Sequence, residues 1–270
     1  MTGHIRYHRD GPLARVTLEY PGKFNAISRS MWRELRAVFA AIAQEPAARC
    51  VWVQGADGHF CAGGDIAQYP DFRFDPQALH DFHEIDVWGG LQAMLDCKLP
   101  ILAQIEGNCM GAGLEIASCC DLRYAASTAR FGAPIARLGF PMAPRECALV
   151  AAAVGHTTAR AMLLAAQVFD AQHMAQRDFL TGVLAHGDLQ AHCQSVVDTV
   201  LGLSPMAAQA HKSCFRALNR PEASVKSAYA ATEFIASDAT QDFLAPYAYA
   251  DHAEHREGIL AFLAKRKPQF

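Results

Sequence analysis

The chain of 270 residues has no excess of positive charge. Its formal net charge is −3, and only 19% of its residues are charged. Binding nucleic acid by neutralising phosphates requires a basic face, and no run of Lys and Arg here is long enough to make one. Long apolar runs are also missing. Stretches such as ALVAAAVG are far shorter than the roughly 20 residues that span a bilayer. The opening MTGHIRYHRDGPLARVTLEY has charges through every apolar piece, so it lacks the core of a signal peptide. There is no C-x-x-C pair and no H-E-x-x-H, which removes support for a zinc ribbon, a thioredoxin-type site or a metalloprotease site. There is also no P-loop and no G-x-S-x-G nucleophile elbow. These absences lead to an expectation of a soluble cytoplasmic protein without metal, nucleic acid or membrane as partner.

What the chain does have is consistent with that. An apolar fraction of 51% is enough for a sizeable core. The nine cysteines are odd in number and mostly sit in apolar segments, so they read as small buried hydrophobes in a reducing compartment. Of the twelve histidines, His80 and His83 are three apart, as are His252 and His255, but both pairs lie in polar, helix-like surroundings.

HIRYHR and LARVTLEY alternate in polarity and flank Asp10-Gly11, which predicts a hairpin. Ser28 or Ser30 can cap a helix in which Met31, Leu35, Val38, Phe39 and Ile42 share a face. CVWVQG, PILAQIEG and LRYAA read as strands. Residues 76–95 read as one long amphipathic helix, and GAGLEIASCC as a short one. Strands alternating with helices predict an α/β fold. After about Ala143 the pattern becomes helical, with SVKSAYAATEFIA and EHREGILAFLAKRKPQF among the later segments. The expected organisation is an α/β core over residues 1–200 and a helical region over residues 201–270.

Two glycine-rich stretches follow strands: Cys61-Ala62-Gly63-Gly64-Asp65-Ile66 and Gly111-Ala112-Gly113. Each would present backbone N–H groups at the start of a helix. Two such groups aimed at one point form an oxyanion hole. GAGLEI is not a dinucleotide fingerprint, because Ile116 stands where the third glycine belongs. Glu115 is the only charge between Glu106 and Asp121, and it lies one helical turn beyond Ala112. A poorly solvated carboxyl has a raised pKa and exchanges protons near neutrality. The local sequence also fits a buried Glu satisfied by an Arg or the backbone. Tyr69, Phe72, Phe74, Phe82 and Trp88 could line a pocket, but their helical spacing favours core.

FNAIS, FCAGGDI, IEGNCMGAGLEIASCCDLRYA and EGILAFLAKRKPQF, in that order and spacing, resemble the signatures of the crotonase superfamily, the enoyl-CoA hydratase/isomerase enzymes. The resemblance implies a spiral of ββα units with a C-terminal helical part that mediates trimerisation, trimers often pairing into hexamers. It implies an acyl-CoA thioester as substrate, with coenzyme A entering as part of that substrate and no tightly bound cofactor. Glu115 would be the catalytic acid/base, with the N–H groups of Gly64 and Ala112 as the oxyanion hole. Lys23, Phe24 and Ala26 in one loop, and Ala62, Gly64, Asp65, Ile66 and Ala67 in another, would line the CoA part. Phe262 and Lys265 match C-terminal residues that reach CoA, often that of a neighbouring subunit.

One position departs from the pattern. Hydratases of this family carry a second glutamate after a proline in the stretch matching ARFGAPIARLG, and here Ile135 follows Pro134. Glu146 is near in sequence, without a place in the site. A single acid suffices for double-bond migration and predicts poor hydration of simple enoyl-CoAs. A decarboxylase of malonyl-type CoA and a non-catalytic CoA- or RNA-binding member are the alternative readings. Two outcomes are expected from this resemblance: CoA or an acyl-CoA raises the melting temperature by mass action, and the protein sediments as at least a trimer. Truncation after Leu260 should weaken CoA binding. A monomer whose melting ignores every CoA compound would contradict both.

Overall fold

The computed structural model describes residues 2–218 and 253–270, with side chains at 255, 256, 259, 262 and 263 outside that description. Strands β1 (His4–Asp10) and β2 (Leu13–Glu19) form the predicted hairpin, with Asp10 opposite Leu13 and Gly11 in the turn at φ 56°. Parallel strands follow on the other edge of β2: β3 (Cys50–Gly55), β4 (Ile101–Ile105), β6 (Leu122–Ala126) and β9 (Gly182–Leu184). Val51, Trp52 and Val53, and all of β4, are buried, as expected of central strands covered on both faces. Three short strands make a second sheet: β5 (Asn108–Met110), β7 (Arg130–Gly132) and β8 (Val168–Asp170). β4 and β5 lead into helix α4 (Ala112–Ser118), and β6 and β7 lead on to helix α5 (Pro144–Val154). Because β4 pairs with β6 and β5 with β7, both in parallel, the chain repeats one ββα path beside the previous one.

Helix α1 (Arg29–Ala43) starts at Ser28, whose side chain accepts from Met31 N–H at 3.2 Å. Its buried face is Met31, Trp32, Leu35, Phe39 and Ile42. Val38, expected on that face, is only half-buried, and Trp32 replaces it. The expected long helix over residues 76–95 is three pieces. Helix α2 (Pro76–Asp81) passes into a π-helical turn (Phe82–Val87) and then helix α3 (Trp88–Asp96). Asp86 is buried and receives Arg29 Nε at 2.5 Å and Arg33 Nε at 2.6 Å, so α1 pins the wide turn in place. π-turns of this kind cluster at functional sites because they displace a side chain from helical register.

The chain divides into two compact units, one of Met1–Cys97 with Ile101–Val197, the other of Lys98–Pro100 with Asp198–Phe270. The first also carries α6 (His156–Leu164) and α7 (Ala171–Gln176), and α8 (His186–Leu201) runs across the boundary. Strands β8 and β9, three residues each, interrupt the stretch expected to be wholly helical. The second unit contains α9 (Pro205–Leu218) and α10 (Ala253–Leu263). Glu254 accepts from Ser204 Oγ and from Met206 N–H, and Lys212 Nζ donates to Leu99 O at 2.5 Å. The segment SVKSAYAATEFIA lies outside the described residues. Seven of the nine cysteines are buried. Among the described residues no helix is long and apolar enough to cross a membrane, and no group of three ligating side chains could hold a metal ion.

Asp86→Asn should loosen the π-turn. It removes one buried charge and weakens two charge-assisted hydrogen bonds to half-exposed arginines, a loss of about 1–3 kcal/mol. A lower urea midpoint with an unchanged m-value would register it.

Candidate active site

The two glycine-rich stretches meet backbone to backbone. Cys61 N–H donates to Asn108 O at 2.8 Å and Met110 N–H donates to Cys61 O at 2.9 Å, which stitches the first loop to β5. Ile27 N–H donates to Gly63 O at 2.8 Å, and Asp65 N–H donates to Ile27 O at 2.9 Å, so Gly64 is held from both sides. Gly111 adopts φ 45° and ψ −110°, a conformation that side chains disfavour, and caps α4. A Cβ on Gly113 would stand 2.7 Å from Cys61 O, so only glycine permits this approach of α4 to the first loop. Gly111 N–H is spent on Gly132 O at 2.9 Å. The N–H groups of Gly64 and Ala112 donate to no other group among the described residues. The latter is free because the first turn of a helix has no internal acceptors for its N–H groups.

Both residues line a cavity of about 340 Å³, and so does Glu115. Glu115 is 6% exposed, and its carboxyl has no hydrogen-bond or ion-pair partner among the described residues. Burial, and secondarily the nearby charge of Glu146, push its pKa well above the ordinary carboxylate value. The reading of Glu115 as a satisfied structural glutamate therefore has no partner to support it.

Glu146 forms part of the same cavity wall. It stands in the first turn of α5, is buried, and lies 2.8 Å from His83 Nδ1 through Oε1. His83 comes from the π-turn, which also directs Phe82 and Val87 into the cavity. The expectation of a site with a single carboxylate is thereby corrected. Ile135 does line the cavity, and a carboxylate from eleven residues further along the sequence shares the same space. The sequence singled out His83 only as half of a pair with His80 and gave it no place in the site, because the acid it contacts is 63 residues away.

A sequence profile of the family described as Enoyl-CoA hydratase/isomerase matches residues 8–270. That match covers nearly the whole chain. The chain belongs to the enoyl-CoA hydratase/isomerase family. A Mycobacterium tuberculosis protein named "Probable enoyl-CoA hydratase echA8" is 28% identical over 98% of the chain and 97% of that protein. "Mevalonyl-coenzyme A hydratase SIDH" of Beauveria bassiana is 30% identical over 94% of the chain and 89% of that protein. Among solved structures, an enoyl-CoA hydratase/carnithine racemase from Magnetospirillum magneticum superimposes with a TM-score of 0.88 at 29% identity, over 98% of this chain and 94% of that one. The α/β architecture is thus of the crotonase type, with the repeated ββα path as its visible unit.

The remaining sequence-selected residues of this family member separate into three groups. Ala62 and Ile66 line the cavity with Gly64. Lys23, Phe24, Ala26, Asp65 and Ala67 do not. Lys23 Nζ is engaged by both Asp65 carboxylate oxygens at 2.8 Å, and that contact holds its pKa above the ordinary lysine value. The pair ties the loop after β2 to the first glycine loop, and Asp65 is buried within it. Phe24 is half-exposed and packs its ring 4.6 Å from His59. The side chain of Phe262 lies outside the described residues, and Lys265 is exposed just beyond α10. Of the five aromatics expected in the core, Tyr69 and Phe82 line the cavity, Phe72 is core, and Phe74 is 85% exposed.

The raised pKa of Glu115 has a measurable consequence for stability. A carboxyl that binds its proton more tightly when folded favours the folded state at low pH. Stability contributed this way falls as pH rises from the unfolded value, near 4.5, towards the higher folded value. Glu115→Gln removes the titration. The variant should melt higher than the parent at about pH 8, with the difference vanishing below about pH 4. Parallel melting curves across this range check the expectation.

Proposed function

We propose that this protein adds water reversibly across the double bond of a 2-enoyl-CoA, with Glu115 and Glu146 as its paired acid and base. One observation carries the reading: two buried carboxyl groups and two unused backbone N–H groups face a single cavity. The thioester oxygen sits between Gly64 N–H and Ala112 N–H, where charge develops as the enolate forms. Glu115, which holds its proton well above the ordinary range, delivers that proton to the α carbon. Glu146 takes a proton from the water whose oxygen bonds to the β carbon. It stands in the first turn of α5, 2.8 Å from His83 Nδ1, so a neighbour able to exchange a hydrogen bond with its carboxyl is already in place. A proton then returns from Glu146 to Glu115, and the cycle closes with one water consumed.

Ile135, in this reading, leaves dry the part of the wall where relatives of the resembled type carry an acid, and Glu146 supplies the acid from α5. The sequence-based expectation of slow hydration, with double-bond migration favoured, is therefore replaced. CoA itself is part of the substrate. Its contacts with Lys23, Phe24, Ala26, Asp65 and Ala67, and with Phe262 and Lys265, belong to the same proposal, as do trimeric assembly and the division at residue 200.

The test is hydration of crotonyl-CoA followed by loss of the enoyl absorbance, with the isomerisation product sought by mass spectrometry. Glu115→Gln and Glu146→Gln should each lower turnover by a factor of about a hundred or more, the usual loss when one general acid or base is removed. His83→Asn, which removes the neighbour of Glu146 without removing either carboxyl, should lower it less. If Glu146→Gln hydrates at the parent rate, the two-carboxylate reading fails. If 3-enoyl-CoAs isomerise while 2-enoyl-CoAs stay unhydrated, the reaction is double-bond migration instead.

A further inference from the structure

The cavity wall contains a cation that this mechanism does not use. Arg73 follows the 3-10 helix of Ile66–Asp71 and lines the cavity that holds Glu115 and Glu146. It also lines an adjoining cavity of about 610 Å³, walled by Leu138, Phe140, Leu79 and Phe74, so the guanidinium stands where the two spaces meet. Its planar group lies 3.6 Å from the Phe140 ring centroid and 4.7 Å from that of Tyr69. Such stacking fixes the plane of the group and leaves its N–H edge free. Nη1 is buried without a hydrogen-bond partner, and no side-chain hydrogen bond or ion pair reaches Arg73 among the described residues. The other basic side chains of the cavity differ: Arg137 Nη2 donates to Ala166 O at 3.2 Å, and His83 Nδ1 lies 2.8 Å from Glu146 Oε1.

A buried donor on a charged group is unfavourable unless something accepts from it. Burial accordingly lowers the Arg73 pKa below its ordinary value, even against the opposing influence of Tyr69 and Glu146. A guanidinium with a fixed plane and a free edge matches a carboxylate in bidentate geometry. A hydrocarbon chain in this place would leave Nη1 unpaired, and a cationic chain would be repelled.

Resting on the acyl-CoA reading of the cavity, we propose that the acyl group carries a carboxylate at the end away from the thioester, and that Arg73 binds it. The apolar walls between Glu115 and the adjoining cavity accept the methylene segment. Arg73 then acts as a specificity residue. It selects the mono-thioester of a dicarboxylic acid over the fatty acyl-CoA of equal length.

Two measurements on the full chain test this. In the first, hexanoyl-CoA and adipoyl-CoA, which cannot react, are titrated calorimetrically, together with the methyl-ended and carboxyl-ended pairs of five and eight carbons. The carboxyl-ended ligand should bind about ten- to a hundredfold more tightly at one length or more, as expected for a buried charge-assisted pair. Arg73→Gln should abolish that preference while leaving the methyl-ended affinity within about threefold, and Arg73→Lys should retain part of it. In the second, kcat/KM is compared for hex-2-enoyl-CoA and the mono-CoA thioester of hex-2-enedioic acid. Preferential binding of the carboxyl-ended ligands without turnover of either enoyl compound supports the Arg73 site and counts against the hydration chemistry. Turnover that favours the methyl-ended compound, together with equal or better methyl-ended binding at every length, overturns the carboxylate proposal and leaves the chemistry standing. An equal loss for both substrates in Arg73→Gln would make the residue a structural stack and overturn the proposal. If Arg73→Gln fails to fold, the preference of the unmodified chain decides alone. Failure to bind any CoA compound removes both readings.

Discussion

The close approach of α4 to the first glycine loop is the constraint on which the site depends. It rests on Gly113, whose Cα has no room for a side chain against Cys61, and on Gly111, whose backbone turns through a region side chains avoid. These two features bring the start of α4 up against the loop that holds Gly64. The same contact sets the start of α4, and the start of α4 sets where Glu115 falls, one turn further on. Cys61 is consequently enclosed, its thiol pushed up to about 12 by burial, which makes it a packing group and not a nucleophile. Backbone hydrogen bonds from Ile27, Asp65 and Met110 hold the assembly. A site made from backbone in this way has little freedom to reorganise, which is the property that makes such donors effective.

That rigid frame permits an arrangement of charges that is unfavourable for stability. Glu115 is buried without a partner, and Glu146 is close enough to raise its pKa further. Two nearby carboxyl groups resist ionising together, so one holds a proton that the other can lack. Asymmetry between them comes from their surroundings. Glu146 has His83 as a donor, and Glu115 has only small and apolar neighbours from α4. The π-turn provides that asymmetry, since it brings His83 to the cavity. Asp86, pinned by Arg29 and Arg33, holds the π-turn. An ion-pair cluster on α1 thus positions the histidine that contacts a buried acid of the cavity, an effect that a surface count of salt bridges would not reveal.

How much of this was legible in the sequence follows from the distances over which the information is stored. The glycine loops and Glu115 were legible because they are contiguous, and a lone carboxyl among small residues is a local anomaly. The hairpin and the central strands were legible from periodicity. Glu146 and His83 were not, because each is ordinary in its own segment and only the fold brings them together. The π-turn was hidden because its sequence keeps a helical pattern; the extra residue in the turn comes from a tertiary contact at Asp86. Strands β8 and β9 are too short, at three residues, to show alternation. The Lys23–Asp65 pair was hidden in a different way: the resemblance assigns both residues to loops lining CoA, and only the fold shows that they also bind each other and tie those loops together.

The position of the second acid has a wider physical meaning. In the resembled pattern it follows a proline just after the strand that corresponds to β7. Here that place is Ile135, at the start of a 3-10 helix, and under the proposed mechanism the acid comes instead from the first turn of α5. A carboxylate from a helix N-terminus enters with a favourable local field, which a strand-end position lacks. It also approaches the cavity from a different wall, beside Met142 and Pro141. Under the two proposals, the second acid and the carboxylate-binding cation are coupled through the segment 134–146, which supplies Ile135, Phe140 and Glu146 alike. Substitutions in that segment should affect proton transfer and acyl selectivity together, because the same backbone positions the groups responsible for both.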